Sequence, residues 1–131
     1  MSNKISLIDE VIREIGRKYG AVCAFKLQKG ERENNVILQV ALIFREKPSK
    51  EVFHNIFQEL SDKLPLNNID LLIMNDAPLT LTYVVLKQGE QVYCDDQEVL
   101  KKFKAKIIEE YLDFRNEVRG QTEISLEKAR S

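Results

Sequence analysis

Apolar residues recur along this chain in two rhythms: spacings of three and four, and short near-continuous runs. Ile5, Ile8, Val11, Ile12 and Ile15 follow the first and mark one face of a helix. Ser6 with Asp9 forms a capping-box pattern, Ser2 or Asn3 offers a start one turn earlier, and Gly16 and Gly20 are stop signals. Ala21 to Leu27 follows the second rhythm and predicts a short strand. The polar run Lys29-Gly30-Glu31-Arg32-Glu33-Asn34-Asn35 predicts a turn, with Gly30 and the Asn pair suited to positive φ. Val36 to Phe44 (VILQVALIF) is the strongest strand pattern, apolar on both faces except at Gln39, which places it in the centre of a covered sheet.

Pro48 and Ser49 open a second helix with the stripe Val52, Ile56, Leu60 and Leu64, widened by Phe53 and Phe57 and ended by Pro65. Asn68 to Met74 is another buried strand, broken only by Asp70. The segment Leu79 to Leu86 (LTLTYVVL) carries two signals. Its alternation and β-branching favour a strand, whereas Asp76-Ala77-Pro78 before it and Gly89 after it favour a short helix, and the helix is preferred. Gln91 to Cys94 is a brief strand. Leu100, Phe103, Ile107, Tyr111, Phe114 and Val118 then step by three and four along a long final helix, whose outer face carries Glu98–Lys102 and Lys106–Glu110 four residues apart. Phe53, Phe57, Phe103, Tyr111 and Phe114 all fall at core spacings. Gly120 is read as the end of that helix. The chain is thus expected to be one α+β domain over residues 1–119, with a loose tail over 120–131.

Composition narrows the class of function without supplying one. The 131 residues carry 20 Lys and Arg against 21 Asp and Glu, for a net charge of −1. No global basic field is present to hold nucleic acid or an anionic membrane. No stretch reaches the length of a membrane span, and no signal-peptide core opens the chain, so a cytoplasmic protein is expected. Cys23 and Cys94 have no metal-type spacing and are expected to be reduced, buried fillers. His54, the single histidine, lies within a helical stripe and cannot build a His-rich metal site or a Ser-His-Asp triad.

The order of elements, together with the strings Asp70-Leu71-Leu72, Asn75-Asp76-Ala77-Pro78-Leu79, Leu86-Lys87-Gln88-Gly89, Val92-Tyr93 and Glu110-Tyr111-Leu112-Asp113, resembles the minimal nucleotidyltransferase (MNT) branch of the polymerase-β superfamily. The strings look like the C-terminal half of the antitoxin-type MNT proteins encoded beside HEPN toxins, and the resemblance covers about residues 5–115. It implies a mixed β-sheet with helices packed on it and a long C-terminal helix. It also implies a Gly-Ser turn after the first strand, an Asp-x-Asp pair on the second and a third carboxylate on the next. Alternate residues of a strand point to one face about 6.6–6.8 Å apart, so such a pair grips two cations from one side. Cations about 3.5–4 Å apart then bridge the nucleotide phosphates and the attacking oxygen.

This chain departs from that pattern at the positions that bear charge. The Gly-Ser turn is replaced by Phe25-Lys26-Leu27-Gln28-Lys29-Gly30, and the Asp-x-Asp pair by Ile37 and Gln39. Asp70 alone remains as a vestigial carboxylate. A hard divalent cation asks for carboxylate oxygens, which neither Ile37 nor Gln39 supplies. The expectation is a pseudoenzyme with no metal and no cofactor. It would act by binding a protein, an antitoxin-like partner of a HEPN-type helical protein, or by self-association. Val99, Ile108 and Leu112 on the last helix are the candidate contacts. Two alternatives stay open. In one the chain is an active nucleotidyltransferase using Mg²⁺ and ATP, adenylylating a protein or small molecule, with Glu31 or Glu33 joining Asp70 at the metal. In the other it is a regulatory domain in which Lys26 and Lys29 hold nucleotide phosphates.

Overall fold

The structure, a computed structural model, describes residues 7–29, 37–66 and 68–130, with side chains except those of Lys29 and residues 118–130. Among the described residues eight regular elements follow one another: α1 (Leu7–Lys18), β1 (Ala21–Lys29), β2 (Ile37–Phe44), α2 (Lys50–Lys63), β3 (Ile69–Ile73), α3 (Leu79–Gln88), β4 (Glu90–Cys94) and α4 (Gln97–Arg130), with a 3₁₀ turn at Met74–Asp76. Ile5, Ser6 and, beyond Lys29, the turn expected over residues 29–35 lie outside the described residues.

The sheet has the order β3-β2-β1-β4. β1 runs antiparallel to both β2 and β4, and β2 runs parallel to β3 through the α2 crossover. β2 is therefore an inner strand covered on both faces, and every residue of it after Ile37 is buried. That double cover is the physical reason its sequence shows no alternation. Leu38, Val40 and Leu42 meet Val11, Ile12 and Ile15 of α1 and Ile56 and Leu60 of α2 on one face. Ala41 and Ile43 meet Cys23, Phe25, Met74, Val85 and Leu100 on the other. Each large side chain fully buried this way contributes roughly 1.5–3 kcal/mol.

Local chemistry fixes the element ends. Gly20 adopts φ +86° and turns the chain out of α1 into β1, a conformation that favours glycine. The Ser49 hydroxyl accepts from the Val52 amide and caps α2. The Asn75 side chain accepts from the Phe44 amide and donates to the Phe44 carbonyl, closing the end of β2. Gly16 leaves room for Tyr93: a Cβ there would stand 2.6 Å from the phenol oxygen. Burial pushes that phenol's pKa up, and it donates to the Ala21 carbonyl at 2.6 Å. Tyr93→Phe strands that buried carbonyl, so a loss of about 1 kcal/mol is expected in urea unfolding.

Several sequence expectations need correction. α4 continues past Gly120 to Arg130, because a single interior glycine costs a helix only about 1 kcal/mol and the neighbouring residues are good helix formers. Phe57 and Phe114 are 38% and 46% exposed rather than core. Phe57 lies beside the α2 stripe instead of on it, and Phe114 lies three residues past Tyr111, the residue that stacks on Tyr83 of α3. Cys94 is half-buried, at the edge strand β4, whereas Cys23 is fully buried. The segment Leu79 to Leu86, by contrast, is helical as expected, with Pro78 at the N-cap of α3 and Gly89 at its C-cap. No helix among the described residues is long and apolar enough to cross a membrane.

Candidate functional site

The parallel pairing of β2 with β3 sets Gln39 opposite Asp70, and it does so on the α3–α4 face of the sheet. Gln39 Nε2 donates to Asp70 Oδ2 at 3.1 Å. Gln39 is 4% exposed, and its Oε1 has no partner among the described residues, whereas Asp70 is open to solvent. Ile37 stands two residues earlier on the same face, 42% exposed. Across the antiparallel pairing Gln39 faces Leu27. The three positions at which the resemblance implies a carboxylate cluster thus hold one branched alkyl group, one amide and one acid. Among the described residues no group of three or more His, Cys, Asp and Glu is arranged to hold a metal ion.

Lys26 is not part of this site. Strand alternation puts it on the opposite face, with Ala24, against α1. There its ammonium is held by Asp9 at 2.6 Å and reaches Glu90 at 3.6 Å, with its side chain only 12% exposed. A lysine so paired has no free charge for a phosphate on the far side of the sheet. Lys29 ends β1 opposite Ile37. Its side chain, like Glu31, Arg32 and Glu33, lies outside the described residues.

Two surfaces need the folded chain to be seen. One is an apolar cleft of about 320 Å³ beside the open edge of β3, walled by Phe53, Leu72, Ile73 and Pro78 and bridged by the Lys47–Asp76 ion pair at 2.6 Å. The paired breaks Pro48-Ser49 and Ala77-Pro78 mark its two walls in the sequence, but nothing there says that they meet. The other is the outer half of α4. Tyr83 of α3 stacks on Tyr111 at 3.8 Å between centroids. Ile108, Leu112 and Phe114 stand 44%, 47% and 46% exposed around it, with Leu81 37% exposed on α3. Val99 does not join them, since it packs into the core beside Leu100.

The strand order and the crossover define a nucleotidyltransferase-type fold, and comparison with known proteins supports this. Residues 29–98, more than half of the chain, match the model of the family described as polymerase beta, nucleotidyltransferase. The chain belongs to that family. Among solved structures, a protein from Shewanella oneidensis superposes with TM-score 0.72 at 16% identity, covering 93% of this chain and 98% of that one. The toxin–antitoxin pair MntA–HepT contains a chain that matches with TM-score 0.70 at 19% identity, covering 92% and 97%. A tri-AMPylated Shewanella oneidensis HEPN toxin in complex with MNT antitoxin gives TM-score 0.71 at 17% identity, covering 92% and 97%. At these identities the likeness is one of fold. No curated protein matches significantly.

Proposed function

We propose that this chain is a catalytically degenerate MNT protein that works by binding a protein, an antitoxin-like subunit for a HEPN-type helical partner. The observation that carries this reading is the Gln39–Asp70 pair. A neutral amide donates to the one remaining acid, and Ile37 fills the next position on that face. Mg²⁺, the cation that the family's chemistry implies, fits this donor set poorly. It needs several hard oxygens in near-ideal geometry, and here an amide N–H is bonded to the Asp70 carboxylate. Structures of similar fold hold MNT antitoxins together with HEPN toxins, and the apolar strip around Ile108 and Leu112 offers a helical partner a surface of the right character.

The test joins binding to chemistry. The purified chain is mixed with a HEPN-type protein, with ATP and Mg²⁺ present, and followed by size-exclusion chromatography and intact mass. A stable complex with no AMP on either protein is expected. Ile108→Asp with Leu112→Asp should weaken the complex at least about tenfold, since burying two unpaired charges costs well over 1.4 kcal/mol. AMP appearing on the partner only with Mg²⁺ would show a working transferase and overturn the degenerate reading. A partner that elutes separately would overturn the binding one.

A further inference from the structure

Cys23 and Cys94 are 71 positions apart in sequence and are brought side by side by the β1–β4 pairing, where they are direct cross-strand partners. Directly opposed residues of an antiparallel pair have Cα atoms about 4.5–5.5 Å apart, inside the range that a disulfide spans. The two Sγ atoms lie 2.6 Å apart, so bond formation at about 2.0 Å asks for a shift of roughly half an ångström. Both cysteines are free thiols in the structure. Cys23 is fully enclosed by the apolar layer under α4, among Phe25, Val85 and Leu100. Cys94 is half-buried, with its sulfur also directed to the Asp96 carbonyl at 3.4 Å. Cys94 is therefore the more exposed of the two residues and Cys23 the covered one.

We infer that Cys23 and Cys94 form a dithiol modification site, which a small-molecule disulfide such as oxidised glutathione converts to an intramolecular disulfide joining β1 to β4. The Cys94 thiolate attacks one sulfur of the reagent, breaks its S–S bond and expels one thiolate, leaving a mixed disulfide on Cys94. The Cys23 thiolate then attacks the Cys94 sulfur, forms the Cys23–Cys94 bond and expels the second reagent thiolate. The two cysteine protons end on the two released thiols. The protein loses two electrons and the reagent gains them. Burial, the Cys94 sulfur and the Asp95 and Asp96 carboxylates all oppose ionisation of Cys23, which slows the second step.

The bond forms where α4 begins. The Asp95 amide donates to the Val22 carbonyl, and Asp96 Oδ1 accepts from the Glu98 and Val99 amides at the start of α4. Oxidation thus fastens the α4 start to the inner strand β1. This site stands on strand register and sulfur geometry alone and does not rest on the partner-binding reading.

The experiment uses the full chain, reduced and desalted, then incubated with oxidised glutathione at pH 8, quenched with iodoacetamide and weighed intact. The expected product has lost two hydrogen masses and takes no alkyl group, and digestion yields a Cys23–Cys94 linked peptide. It should pass through a glutathionylated intermediate and return to two alkylatable thiols with dithiothreitol. Its melting temperature should be higher than that of the reduced form. Cys94→Ser, at the half-buried position, should stay unmodified under the same treatment. A product that stops at the mixed disulfide, a Cys94-linked dimer, or a Cys94→Ser protein glutathionylated as fast as the parent overturns the proposal.

Discussion

At pH 7 the Gln39→Asp variant is expected to lose about 2–3 kcal/mol of stability in urea unfolding. Position 39 is 4% exposed, and its side chain already touches the solvent-open Asp70 carboxylate, so the substitution sets a buried acid beside an exposed one. Like charge and burial both raise the pKa of one of them, and a carboxyl raised by about two pH units costs about 2.7 kcal/mol once ionised. The sign follows from linkage. A carboxyl whose folded-state value is raised binds its proton more tightly in the native state, so the penalty is absent below about pH 4. It grows as pH rises towards the folded-state value and is constant above it. Gln39→Leu, by contrast, removes a buried carbonyl oxygen that has no partner among the described residues, and should gain about 1 kcal/mol at every pH. Adding Ile37→Asp to Gln39→Asp makes a set of three carboxylates with Asp70. Millimolar Mg²⁺ should then restore stability, because a cation that binds only the folded site stabilises it by mass action. A Gln39→Asp protein as stable as the parent at pH 7 would mean that the position is hydrated and the pairing with Asp70 incidental.

Leu38→Ala is expected to cost about 3–4 kcal/mol, a large share of the 5–15 kcal/mol typical of a domain. Leu38 is 0% exposed on the inner strand, facing the layer that α1 and α2 build, and rigid strands on both sides prevent the cavity from collapsing. Leu81→Ala, at a residue 37% exposed, should stay within about 0.5 kcal/mol. Equal losses for the two in denaturant titration would contradict the placement of the core.

Patterns governed by local physics are legible in the sequence. β2 stands out because two covered faces need an unbroken apolar run, and α2 because Ser49 and Pro65 bracket a stripe of three-and-four spacing. In α3 the boundary residues Pro78 and Gly89 outweigh the alternation of LTLTYVVL, since strand propensity depends on neighbours that this segment does not have. Long-range placement is less legible. Lys26 has the position of a phosphate ligand near the turn, yet alternation with Phe25 and Leu27 already assigns it to the other face, where Asp9 waits. The opposition of Gln39 and Asp70 follows from the family resemblance and is present in the register. The meeting of Cys23 and Cys94 has no local signal, because it depends on β4 pairing with β1 and not with β3.

That strand order also sets a timetable for synthesis. β2, α2 and β3 follow β1 directly, but the last neighbour of β1 arrives 71 residues later. At about 5–20 residues per second this is a delay of roughly 4–14 s. During it, one edge of β1 has no partner, and the face carrying Cys23, Phe25 and Ile43 has neither α3 nor α4 over it. A nascent chain in that state presents a sticky half-sheet to whatever it meets, such as another nascent chain or a chaperone. A pause while residues 73 to 90 are emerging from the ribosome prolongs that exposure, whereas one after residue 107 has emerged falls when the second layer can already close.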